Sequence, residues 1–250
     1  MMKAKIAYYT EIADNAMILS HRLAENSSKG PFLEEDLACS NVALDLLGMA
    51  ESIYEEAAKL KADGSIGDDL AYRKSEWEYK NVLLVEQPNG DFAHLMVRQF
   101  FMDVFNYYFL SELTKSKDEF LSAVGVKSLK DVTYHLKRSS EWMVRFGKGT
   151  EESAKRAQSA INDLWRYTDE LFDASADDKQ LRPEGISADL EAIHDDWKLK
   201  VAEVFYIANL KKPENLFQLK GGKQGNHSES FGFLLSEMQY LTNAYPDAKW

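Results

Sequence analysis

Two aspartates interrupt stretches that are otherwise apolar: Asp45 in "ALDLLG" and Asp103 in "FFMDVFNYYF". A carboxylate in such surroundings needs a cation, a hydrogen-bond donor or a metal, because burying it unpaired is costly. About thirty residues beyond each aspartate stands a group with part of the form E-x-x-H: Glu76-Trp77-Glu78-Tyr79 after Asp45, and Val132-Thr133-Tyr134-His135 after Asp103. One acid from each of two helices plus E-x-x-H from each of two others is the donor set of a carboxylate-bridged di-iron bundle, since residues three apart share a helix face. Here Tyr79 stands where a histidine would, and Val132 where a glutamate would. Asp45, Glu76, Asp103 and His135 remain, too few oxygen and nitrogen donors to hold two bridged irons. A plainer reading stands beside this one: a lone buried histidine is ordinarily a core residue satisfied by its neighbours. Without a metal, Asp45 and Asp103 are expected to be neutralised by His135 or a nearby Lys or Arg, or to stay protonated.

Other motifs carry weaker chemistry. The literal E-x-x-H, Glu191 to His194 in "LEAIHDDW", lies in an acidic segment with no matching half, which argues against a metal site. "DFAH", Asp91 to His94, stands at a helix start, where an aspartate caps free backbone N–H groups. Eight basic residues fall between Lys127 and Arg156 against four acids; they form either a solvated helix face or a surface for an acidic partner or the phosphates of a ligand. "LKGGKQGNHSES", Leu219 to Ser230, reads as a flexible connection ending in a serine N-cap, with a backbone nest for an anion as the alternative. "VEQPNGD" reads as a tight turn between buried helices.

The elements that must position these residues are all helical. The five prolines, Pro31, Pro88, Pro183, Pro213 and Pro246, fall where the three-and-four spacing of apolar residues breaks. Helices are predicted at about 4 to 25, 34 to 62, 68 to 85, 91 to 115, 117 to 147, 151 to 173, 187 to 210 and 229 to 244. The second carries Leu37, Leu44 and Leu47 on one side and Val42, Leu46 and Ile53 on the other. The fourth is apolar all round, from Phe92 to Leu110. Both are therefore expected to be buried among other helices, with the seventh and eighth packed outside. No linker rich in glycine or serine divides the chain, so residues 1 to 250 are expected to form a single all-α domain, a helical bundle with extra helices.

Composition bounds the partners. The chain has 250 residues, 45% hydrophobic and 28% charged, with a net charge of −11. That charge repels nucleic acid and anionic membranes alike. One cysteine, Cys39, excludes an internal disulfide framework and suits a reducing compartment, and its apolar neighbours predict a buried thiol. The first residues lack the apolar core and small-residue cleavage site of a secretory signal. No apolar run approaches the roughly 20 residues of a membrane span. The expected location is the cytoplasm.

The strings "DLACSNVALDLLGMAESIYEEAA", "NVLLVEQPNGDFAHLMVRQFFMD", "YHLKRSSEWMVRFGKGTEES", "LWRYTDELFD", "GGKQGNHSE" and "LLSEMQYL" occur in this order along nearly the whole chain. Together they resemble the C-subunit (PaaC) family of the bacterial phenylacetyl-CoA epoxidases. The resemblance implies a ferritin-like four-helix bundle core with additional helices, and a non-catalytic subunit of a multicomponent NADPH-dependent monooxygenase. It implies no cofactor in this chain: the di-iron centre belongs to a catalytic A subunit that epoxidises phenylacetyl-CoA, and NADPH, FAD and an iron–sulfur cluster belong to a reductase subunit. The implied partners are the A subunit, as a heterodimer that doubles into higher assemblies, and further copies of the chain when it is expressed alone. Acyl-CoA contacts carried over by position fall on Glu78, Tyr79, Lys80 and Asn81 and on Lys179, Gln180 and Leu181. Two rivals remain: an independent mono- or di-metal oxidase using Asp45, Glu76, Asp103 and His135, and a stand-alone helical binding module.

Overall fold

The computed structural model describes every residue except 215, 247, 249 and 250. The fold is all-α, with no strand among the described residues. In chain order the helices are α1 (Met2–Ala24), α2 (Leu33–Lys61), α3 (Gly67–Tyr72), α4 (Phe92–Leu113), α5 (Glu119–Lys148), α6 (Glu151–Leu164), α7 (Ala176–Leu181), α8 (Leu190–Ala208), α9 (Glu229–Met238) and α10 (Tyr240–Ala244). Short 3-10 turns lie at Glu76–Glu78, Trp165–Tyr167, Asp169–Phe172 and Gly222–Gln224. Two compact units result, one of residues 1–88 and 220–250, the other of residues 89–219. Each is built on a pair of long helices, and these four are the long helices a ferritin-like core requires.

In the first unit α1 and α2 run antiparallel, since Ser20 Oγ donates to Ala43 O at 2.6 Å and the Tyr54 hydroxyl reaches Asp14. The side of α2 that meets α1 carries Val42, Ala43, Leu46, Ala50, Ile53, Tyr54 and Ala57, all buried at helical spacing. The opposite side is open: Leu37 and Leu44 are 54% and 65% exposed. The expectation that α2 is buried all round is therefore corrected. Its apolar surface exceeds what α1 can cover.

In the second unit α4 is buried on every side from Leu95 to Phe105. Asp91 caps it by accepting from His94 N at 3.0 Å, as expected from "DFAH". Phe92 packs edge-on against Trp142 at 4.9 Å and so sets α5 antiparallel to α4. Phe101 meets Trp165, Trp197 and Phe205, and Trp197 Nε1 donates to Phe101 O at 3.0 Å. Where α5 crosses α8 a side chain at Gly147 would stand 1.8 Å from Ala208 O, so glycine alone permits that approach.

Five of the eight predicted helices lie within a few residues of their expected places; the sixth starts as expected but ends at Leu164 and gives way to 3-10 turns. The eighth is split into α9 and α10, and α7 was not anticipated. The third prediction fails: α3 stops at Tyr72, and residues 79 to 88 form a buried, non-helical strap. Its backbone is satisfied by polar side chains of α1. Lys80 N donates to Asp14 Oδ2 at 2.8 Å, Val82 N to Asn15 Oδ1 at 2.8 Å, and Glu86 O accepts from Arg22 Nε and Nη2 at 3.0 and 2.7 Å. A short apolar run such as "NVLLV" has no periodicity to distinguish a strap from a helix, and the partners that decide it lie sixty-odd residues away.

Candidate functional site

The six ligand-like positions have different fates. Asp103, on α4, is 1% exposed; His135 and Val132, on α5, are each 2% exposed. Asp103 Oδ1 accepts from Gln99 Nε2, one turn earlier, at 2.6 Å. Burial pushes the Asp103 carboxyl up to about 6, against the opposing pull of His135, the Ser139 hydroxyl, Gln99 and Arg138. The charges of His135 and Arg138 on α5 oppose that rise without reversing it. Val132 is a core valine beside them.

The first-half positions do not match. Asp45 is exposed, because α2 turns only its Val42, Ala43 and Leu46 side to α1 and carries Asp45 outward; its expected place at the bundle centre is corrected. Glu76 opens a 3-10 turn and is half-buried. Tyr79 follows in extended backbone, so this pair does not project from one helix face. The Tyr79 ring is fully buried and its hydroxyl donates to Ala71 O at 2.6 Å. Among the described residues no three His, Cys, Asp or Glu side chains converge as metal ligands. The donor set, with Tyr79 and Val132 at two positions and Asp45 facing outward, does not fit a di-iron centre.

The polar centre that the first unit does build lies on Asp14. This fully buried carboxylate takes the Tyr54 hydroxyl, the Lys74 ammonium and Lys80 N. Lys74 also lies 4.2 Å from the centre of the Tyr79 ring. Burial lowers the Lys74 ammonium despite Asp14, and burial followed by the Asp14 charge raises Tyr54. Beside it, Glu86 binds His227 Nδ1 at 2.8 Å, Ser228 N at 2.6 Å and Asn81 Nδ2 at 3.1 Å. Sequence reading missed both groups, since Asp14 and Glu86 sit in no recognisable motif and their partners are distant.

The glycine-rich "LKGGKQGNHSES" is neither a nest nor a loose connection. Lys223 is paired with Glu11 at 3.0 Å, and a side chain at Gly222 would stand 2.2 Å from Asn81 O. Ser228 sits at the α9 N-cap position without a side-chain cap bond. Of the acyl-CoA positions, Tyr79, Asn81 and Leu181 are closed to solvent. Glu78 is exposed but engaged with Ser75 N at 2.8 Å, Lys80 Nζ reaches Trp77 O at 3.1 Å, and Lys179 and Gln180 are exposed on α7. His194 stacks on Phe172 at 4.1 Å, with Glu191 exposed on the first turn of α8, and Cys39 is a buried free thiol. A cleft of about 830 Å³ in the first unit is lined by His21, Tyr72, Arg73, Leu234 and Met238, among others.

Comparison with known families matches residues 1–250 to the family described as phenylacetic acid catabolic protein. The chain belongs to that family. It is 41% identical over 249 residues, the whole of both chains, to an Escherichia coli protein named as the C subunit of 1,2-phenylacetyl-CoA epoxidase. Among the described residues no helix is long and apolar enough to cross a membrane.

Proposed function

We propose that this chain is the non-catalytic structural subunit of a phenylacetyl-CoA epoxidase in aerobic phenylacetate breakdown. In this reading it pairs with, and supports, the catalytic di-iron A subunit. The observation that carries the proposal is the centre of the second unit, where the buried Asp103 accepts from Gln99 and lies in the field of His135 and Arg138, while a core valine, Val132, stands three residues before His135. Such a donor set has too few oxygen and nitrogen ligands to hold two bridged irons. Full-length likeness to a protein named as a C subunit supports the same reading. Contact with acyl-CoA, if the chain makes it, runs through the accessible members of the carried-over positions, Glu78, Lys80, Lys179 and Gln180.

The test is co-expression with the other epoxidase subunits of the same organism, followed by metal analysis and turnover with and without this chain. The expected result is a stable complex in which this chain purified alone carries no stoichiometric iron and the complex loses most activity in its absence. About two irons per isolated chain with oxidase activity would instead establish the independent metalloenzyme built on Asp45, Glu76, Asp103 and His135. A stable monomer that ignores the other subunits would leave the stand-alone binding module.

A further inference from the structure

We infer that the open side of α2 is the surface on which another subunit of the epoxidase docks, through an apolar patch of that subunit flanked by Lys or Arg; this rests on the subunit role proposed above. Leu33, Leu37 and Leu44 are 68%, 54% and 65% exposed and recur along one side of the helix. Exposed leucines scattered singly need no explanation, whereas three along one helical stripe mark a contact surface. Next on the same stripe is Gly48, where an added Cβ would meet nothing within 4 Å. The bare backbone there lets a partner helix approach closely, as small residues do at helix crossings. From Leu33 to Gly48 the open stripe is about 22 Å long at 1.5 Å per residue, about four helical turns of contact, before Gly67 of α3 closes on Glu55.

The charges beside the stripe decide what covers it. From Leu33 to Ala58 the helix has seven acids, Glu34, Glu35, Asp36, Asp45, Glu51, Glu55 and Glu56, and no Lys or Arg. Glu34, Glu51 and Glu55 are exposed. A second copy meeting this stripe by two-fold symmetry would set acid against acid. A subunit with basic residues around an apolar centre would find complementary charge along the whole length. Basic flanks also steer the encounter and fix its register, while the leucines supply the desolvated centre.

The experiment measures binding of this chain to the co-expressed epoxidase subunits by quantitative pull-down and sedimentation. Leu37→Glu with Leu44→Glu is expected to weaken assembly at least 100-fold while circular dichroism and the thermal midpoint stay those of the parent, since both side chains are already more than half exposed. Glu51→Lys with Glu55→Lys is expected to weaken it at least 10-fold at low ionic strength and less at high salt. Tyr206→Glu, 86% exposed on α8, serves as the control and is expected to leave assembly unchanged. If the parent chain assembles and both double variants assemble equally well, the docking surface is elsewhere and this inference alone fails. If the parent chain forms only homo-oligomers, or joins nothing, the subunit role fails with it.

Discussion

The helices α2 and α4 read alike in the sequence, each apolar on nearly every side, yet the protein treats them differently. α4 is enclosed by helices of its own unit, and its Phe100 and Phe101 have no exposed surface. α2 is covered along the α1 side and, near Glu55, by α3, while Leu37 and Leu44 face outward. The difference teaches that an apolar helix states a demand for cover without stating who supplies it. For α4 the chain supplies its own cover; for α2 part of the apolar surface, at Leu37 and Leu44, is left open.

The comparison can be broken most forcefully at Phe101. Phe101→Ala removes a ring packed among Trp165, Trp197 and Phe205 and is expected to cost about 3–5 kcal/mol in urea unfolding. A loss near zero would mean that α4 is no better enclosed than α2. Next comes Asp103. Its carboxyl is raised to about 6 by burial from an ordinary value near 4. A raised folded value means that its contribution is fully present below about pH 4 and is lost as pH rises through 6. The difference of roughly two units corresponds to about 3 kcal/mol. Asp103→Asn should flatten this part of the stability profile, compared by denaturant midpoints at pH 5 and pH 8, and an unchanged slope would show that Asp103 is not the group responsible.

A smaller effect is expected at His94, near the start of the same helix. Burial lowers this imidazole, but bonds to Asp163 at 2.9 Å and Asp91 at 3.1 Å overcome it and raise the value overall. Its stabilisation is therefore full below pH 6.5 and fades as pH rises through the folded value. His94→Gln should cost under about 1 kcal/mol at pH 5.5, because the group is partly exposed, and next to nothing at pH 9. Smallest of all, Leu44→Ala on α2 should change stability by less than about 0.5 kcal/mol. A loss of 2 kcal/mol or more in the isolated chain would show that Leu44 is already covered, and the contrast with α4 would disappear.

The parts legible in sequence were those governed by local period. The long helices α1, α2, α4 and α5 carry three or more turns of regular apolar spacing, and their ends are marked by Asp91, Asp118 and Pro31. Asp103 and His135 were singled out because a polar group in an apolar helix is conspicuous. What escaped depends on distance along the chain. The strap from Tyr79 to Gln87 looks helical until Asp14, Asn15 and Arg22 are brought beside it, and Asp45 looks central until α1 is seen to take only one side of α2. Glu86 and His227 are unremarkable as letters, and only folding brings them into hydrogen-bond contact.

That last pair also bears on timing. The first unit is made from both ends of the chain, and Glu86 precedes His227 by 141 residues. At about 5–20 residues per second, the ribosome takes roughly 7–28 s to deliver the histidine after the glutamate. Throughout that interval the strap can dock on α1 only by burying a Glu86 side chain that has yet to meet its His227 and Ser228 hydrogen-bond partners. The second unit, encoded entirely within the gap, emerges in full before the first can be finished.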